Sequence, residues 1–172
     1  MPETEAPVLP DLLVPGLVLV FCGTAPSRRS AAEHAYYAHP GNYFWRALHE
    51  SGLTPRRYLP TEYPRLLQLG IGLTDLAKRH SGNDAELPAD AFDIPALVTR
   101  VEHFAPAWLA FTSKNAARAT LGKTTRYGAQ DASIGTTRVF VLPSPSGQAR
   151  GHWDLAPWCE LARIVHATHP AG

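Results

Sequence analysis

The chain predicts an α/β fold, a short central parallel sheet covered by helices on both faces. Two observations carry the prediction. "LVLVFC" (17–22) is a continuous apolar run that stops at Gly23, the pattern of a strand buried on both faces. Two further strand-like runs, "AWLAFTS" (107–113) and "TRVFVLPSPSG" (137–147), are set apart by segments of helical spacing. Strands that alternate with helices build parallel sheets. The 172 residues suit one domain that buries most of its surface, and 45% hydrophobic with 18% charged residues is ordinary for a globular chain.

Each element has a local reason. The Pro-rich, acidic opening "MPETEAPVLP" reads as a loose arm, so residues 1–12 are expected to be flexible and residues 13–170 to form the domain. In "YFWRALHESG" (43–52), Phe44, Ala47 and Leu48 share a helical face and Gly52 suits a C-cap. "TEYPRLLQLG" (61–70) predicts a helix with Thr61 as N-cap and Pro64 in its first turn. "DIPALVTRVEHF" (93–104) predicts a helix capped by Asp93, with Pro95 in the first turn. "KNAARATLG" (114–122) is a short helix, and "LAPWCELARIVHATH" (155–169) a closing amphipathic one. No internal repeat, linker or low-complexity tract interrupts this order.

Several function classes are set aside. The longest apolar stretch, "LLVPGLVLVFCG", contains Pro15 and falls short of the ~20 residues of a membrane span. No basic segment precedes it, so no signal peptide and no membrane partner are expected, and the cytoplasm is the expected location. Cys22 and Cys159 read as free thiols. "GIGLTD" (70–75) has two of the three glycines of a dinucleotide fingerprint, and no Gly-Lys-Ser/Thr occurs. Neither Ser27 nor Ser146 lies in a Gly-x-Ser-x-Gly elbow. His166 and His169 share a helix face without a third ligand, so no metal site is expected. A net charge of +1 neither demands nor excludes nucleic acid, and the basic residues come in small groups such as Arg28-Arg29, Arg56-Arg57 and Lys78-Arg79.

In an open α/β sheet, ligands bind outside the carboxyl ends of the strands. Two strong strands end in "GTAPS" and "PSPSG", which places both turns on one edge. Three segments then resemble the uracil-DNA glycosylase superfamily, and most closely its mismatch-specific branch, which includes the thymine-DNA glycosylases. The family's strand into Gly-Ile-Asn-Pro-Gly is matched by "FCGTAPS", and its Phe-Ala-His-Pro-x-Asn-x-Phe-Trp run by "YAHPGNYFW" (37–45). Its strand into Asn-Pro-Ser-Gly-x-x-Arg is matched by "VLPSPSGQAR" (141–150), and its Gly-x-Thr-x-Leu stretch by "GIGLTDL". The likeness spans roughly residues 16 to 165.

The resemblance implies a single three-layer α/β/α domain, a monomer, that uses neither metal nor cofactor. It implies a monofunctional DNA glycosylase of base-excision repair. Such an enzyme hydrolyses the N-glycosidic bond of uracil, or of another mispaired or damaged base, after flipping it from double-stranded DNA. Single-stranded DNA stays open as a substrate. Tyr37 matches the aromatic that stacks on the flipped base, and Gly23, Thr24, Ala25 and Ser144 match the base pocket. Ser146, Gly147, Gln148, Ala149 and Arg150 match the loop that enters the DNA, where Gln148 and Ala149 replace a more apolar plug.

One departure matters most. Ala25 stands where the family has the asparagine that holds the attacking water, and Ser144 replaces the asparagine of the last motif. An oxocarbenium-like sugar would be stabilised by a carboxylate that also orients or deprotonates water. Asp93, at a helix N-terminus on the active edge, and Asp75, in "LTDL", are the candidates. The alternative is a lesion- or mismatch-binding protein that keeps the pocket and has lost hydrolysis.

Overall fold

A computed structural model describes residues 7–168, with the side chains of Gln148, Arg150 and His152 outside that description. Five strands form one sheet: β1 (Leu19–Gly23), β2 (Ile71–Asp75), β3 (Trp108–Phe111), β4 (Gly128–Ile134) and β5 (Thr137–Val141), in the order β2-β1-β3-β5-β4. β1 pairs in parallel with β2 and β3, and β3 with β5; β4 returns antiparallel along β5. The sheet is therefore parallel except at one edge, where β4 is a polar strand, "GAQDASI", with little buried surface.

The layers follow from the period of two in β1. Leu19 and Phe21 point to one face, Val20 and Cys22 to the other. On the first face pack α2 (Phe44–Glu50) and α5 (Ala156–Thr168), whose Phe44 and Trp158 rings lie 5.1 and 5.8 Å from that of Phe21. On the second pack α3 (Ile94–Phe104) and α4 (Lys114–Leu121), which bury Leu97, Val101, Ala116 and Ala117. A short α1 (Arg28–Glu33) completes the helices. The predicted three-layer α/β/α domain is the one observed, and among the described residues no helix is long and apolar enough to cross a membrane.

Two expectations change and one strand is added. The segment predicted as a helix over 61–70 is a 3-10 helix, Pro60–Leu69, because Pro64 inside it lacks an N–H and crowds the preceding turn. "GIGLTD", to which the sequence reading gave no element, holds strand β2, Ile71–Asp75, buried at all five positions. And the arm expected to be flexible over 1–12 is docked from Val8, whose N–H donates to the Lys78 carbonyl at 2.6 Å, while residues 1–6 lie outside the described residues. Leu12 exchanges two backbone hydrogen bonds with Leu73 (2.9 and 3.0 Å), and Leu9 is fully buried. Asp11 accepts from Thr74 Oγ1 at 2.7 Å and pairs with Lys78 Nζ at 2.7 Å and Arg100 Nε at 3.4 Å. This strap covers the β2 edge, which would otherwise offer unpaired backbone groups. It also explains Gly72, where a Cβ would lie 2.4 Å from the Leu12 carbonyl oxygen.

Candidate functional site

The carboxyl ends of β1, β3 and β5 open into a cleft of about 490 Å³. Gly23 and Thr24 form its floor, and their carbonyls are taken by the N–H groups of Leu76 (2.9 Å) and Ala77 (2.8 Å). Thr112 to Asn115 close one side, and Ser144, Pro145, Ser146 and Ala149 another. The two Pro- and Ser-rich turns thus meet across one cavity. They are also joined through the "AHPGNYFW" loop, since Tyr43 donates its N–H to the Pro145 carbonyl at 2.8 Å. A Cβ on Gly147 would lie 3.1 Å from the Gly41 carbonyl oxygen, so these loops touch backbone to backbone.

Tyr37 borders this cleft in a left-handed conformation (φ 52°), which costs a non-glycine residue about 1 kcal/mol or more. Its ring stacks on Phe44 at 3.8 Å and 14°, and its hydroxyl shares a 3.1 Å hydrogen bond with Thr112 Oγ1. Burial, and next the nearby Asp75, push its phenol well above the ordinary range, so it is neutral. Asn42 lines the same wall while its Oδ1 accepts from the Phe44 N–H at 2.8 Å, which leaves its amide nitrogen as the group that can donate. His39 Nδ1 accepts from the Gly41 N–H at 3.0 Å, a contact internal to the loop.

Ala25 lines a smaller side cavity of about 40 Å³ with Tyr37, Asn42 and Asp75. Asp75, at the end of β2, pairs in register with Gly23 and is 3% exposed. A Cβ on residue 23 would fall 2.9 Å from Asp75 Oδ1 and 3.2 Å from the Tyr37 hydroxyl, so this crowding requires the glycine. Asp75 Oδ2 has no hydrogen-bond partner among the described residues. Burial is the main cause that raises its carboxyl, to about 7, while Lys78 and Arg100 pull the other way.

The expected carboxylates are not on the cleft wall. Asp93 is exposed and caps α3, its Oδ1 accepting the Ala96 N–H at 3.0 Å. Asp75 lies behind Gly23 rather than in the main cavity. The acid that does line the cavity is Asp84, which opens a 3-10 turn, Asp84–Glu86. Thr24 Oγ1 donates to its Oδ1 and Asn115 Nδ2 to its Oδ2, both at 2.6 Å. The turn that carries it is tied down as well: Gly82 N–H donates to Pro26 O at 2.9 Å, and Arg28 pairs with Glu86. Both Asp84 oxygens are thereby fixed in direction, with charge-assisted acceptor capacity left for a water or a cationic sugar. The signal that could have found it is β2 itself. Once Ile71–Asp75 is a strand, the connection after it lies at the active edge, and Asp84 is on that connection.

The last loop is only partly described. Ser144 Oγ accepts from the Ser146 N–H at 3.2 Å, and a 3-10 segment, Gly147–His152, follows with a kink at Ala149. Ala149 lines the cleft; the expected DNA-contacting side chains of Gln148 and Arg150 lie outside the described residues.

Residues 10–165 match the model of the uracil DNA glycosylase superfamily. The fold is similar to the solution structure of a Methanosarcina acetivorans protein provisionally assigned as a uracil DNA glycosylase. That match has 21% identity and a TM-score of 0.63, and covers 92% of this chain and 96% of that one. With one family model running from the docked N-terminal strap through the last helix, the chain belongs to the uracil DNA glycosylase superfamily.

Proposed function

We propose that this protein is a monofunctional DNA glycosylase of the mismatch-specific branch, which flips uracil or a related mispaired base into the cleft and hydrolyses its N-glycosidic bond. The observation that carries the reading is Asp84, held by Thr24 and Asn115 on the wall of the cavity that Tyr37 borders. The C1′–N bond breaks with its electron pair leaving on the base, and the sugar becomes oxocarbenium-like. Asp84 stabilises that charge and orients a water whose oxygen bonds to C1′; the water's proton passes to the carboxylate and then to solvent. The products are the free base and an abasic site. Tyr37 supplies a stacking face, and Ser144, Ser146 and the loop through Arg150 face the DNA. The substrate is double-stranded DNA with a mismatched or damaged base, taken by a monomer.

The binding-only alternative rests on Ala25, a methyl group at the place where the family keeps a water-holding asparagine. One assay separates the two. Labelled U·G, U·A and T·G duplexes and single-stranded uracil DNA are incubated with the protein, then treated with hot alkali to cut abasic sites. Scission by the native protein, lost in Asp84→Asn with binding retained, supports the glycosylase. Selective binding with no scission on any substrate sinks it in favour of the alternative.

A further inference from the structure

The cleft has a second aromatic wall besides Tyr37. Tyr127, in the connection from α4 to β4, is 42% exposed. The other large apolar side chains exposed to this degree among the described residues are Val14 and Leu59, and of the three it is Tyr127 that borders the cleft. Lys114 Nζ lies 4.3 Å from the centre of its ring, and Lys114 lines the cleft too. Lys114 is the first residue of α4, where a cation opposes the helix dipole. Its own helix therefore does not favour the charge there; the tyrosine ring face does. Tyr37 is a separate platform, half-buried and fixed by Phe44 and Thr112. At about 490 Å³ the cavity is of the size that takes a drug-sized ligand, larger than one pyrimidine.

We propose that Tyr127, held by Lys114, stacks on the base adjacent to the flipped nucleotide on the same strand, so that the cleft binds two consecutive nucleotides. This rests on reading the cleft as a flipped-base site. The ring supplies the stacking face, and Lys114 supplies the charge for the phosphodiester that joins the two nucleotides. Because the contact is made to the substrate strand alone, it operates without a complementary strand, and single-stranded DNA is a substrate on this account.

The test is fluorescence anisotropy with a short single-stranded oligonucleotide that carries 2′-fluoro-2′-deoxyuridine, whose glycosidic bond resists cleavage. In two further versions the nucleotide on either side of it is replaced in turn by an abasic spacer. The native protein should lose about ten-fold in affinity with the spacer on one side, the lower range of base–aromatic stacking. Tyr127→Ala should bind the intact oligonucleotide about ten-fold more weakly, show no further loss with either spacer, and melt like the native protein. Tyr127→Phe should behave as native, and Lys114→Gln should flatten the salt dependence. A native protein indifferent to both spacers, or a Tyr127→Ala variant as sensitive to them as the native, overturns the proposal. Excision of uracil combined with spacer indifference counts against this subsite alone. Spacer sensitivity without excision counts against the glycosylase reading alone.

Discussion

Thr24 and Asp84, sixty residues apart in the chain, are joined by a hydrogen bond of 2.6 Å from the threonine hydroxyl to the carboxylate. Asn115 holds the other oxygen of the same carboxylate from the far side of the cleft. The loop that carries Ala25 thus positions an oxygen at the cavity, one residue earlier and through a partner.

Asp84→Asn is expected to lower kcat by about a hundred-fold or more while leaving DNA affinity within a few-fold, the range for a removed acid–base group. Asp93→Ala should keep turnover and lose about 1 kcal/mol of stability through its lost cap. Single-turnover excision alongside chemical denaturation reads both. Full activity in Asp84→Asn would remove this carboxylate from the mechanism.

Asp75 makes stability depend on pH in a stated direction. Its carboxyl is raised to about 7 in the folded protein from an ordinary value of 3.8, so the native state holds the proton more tightly than the unfolded one. The stabilisation is complete below about pH 4 and is lost as pH rises through 7, by a few kcal/mol at most, on the order of the shift itself. Asp75→Asn should remove this slope and be the more stable protein at pH 8. Urea melts of both proteins between pH 5 and pH 8 measure it; parallel curves would contradict the assignment.

The N-terminal strap is expected to be structural. Gly72→Ala drives a Cβ against the Leu12 carbonyl, so the strap must lift or the strand must shift, at a cost of about 1–3 kcal/mol. Asp11→Ala removes the acceptor for Thr74 and the partner of Lys78 and Arg100. Both variants should melt earlier and be nicked by protease near residue 12 faster than the native chain. Unchanged nicking would mean that the strap carries no stability.

Tyr37 separates into two contributions. Tyr37→Phe keeps the ring on Phe44 and loses the Thr112 hydrogen bond, a change of about 0.5–1.5 kcal/mol in stability with base affinity retained. Tyr37→Ala removes the stacking face, and affinity for uracil-containing DNA should fall by about ten-fold or more. Equal affinities in the two variants would argue that the ring packs without meeting a base.

β1 and β3 were legible because the continuous apolar runs "LVLVFC" and "WLAF" can only be satisfied in the interior. β2 escaped notice because Gly70 and Gly72 border and interrupt its short apolar run. Gly72 is there for a different reason, the Leu12 backbone that crosses 2.4 Å from its missing Cβ. β4 escaped because an exposed edge strand has no apolar pattern to show.

The sequence by itself determined the α/β class and the shared edge of the "GTAPS" and "PSPSG" turns, and placed a methyl group at position 25, where the family resemblance implies an asparagine. These are local properties, carried by apolar runs and by residue identity at one position. What only the tertiary structure decided is which acid faces the cavity. Asp75, Asp84 and Asp93 are chemically alike in the chain. Burial behind Gly23 raises the carboxyl of the first to about 7, a helix cap occupies the third, and donors from Thr24 and Asn115 orient the second. A carboxylate's role is set by what surrounds it, and those surroundings come from distant segments that meet only when the sheet has formed.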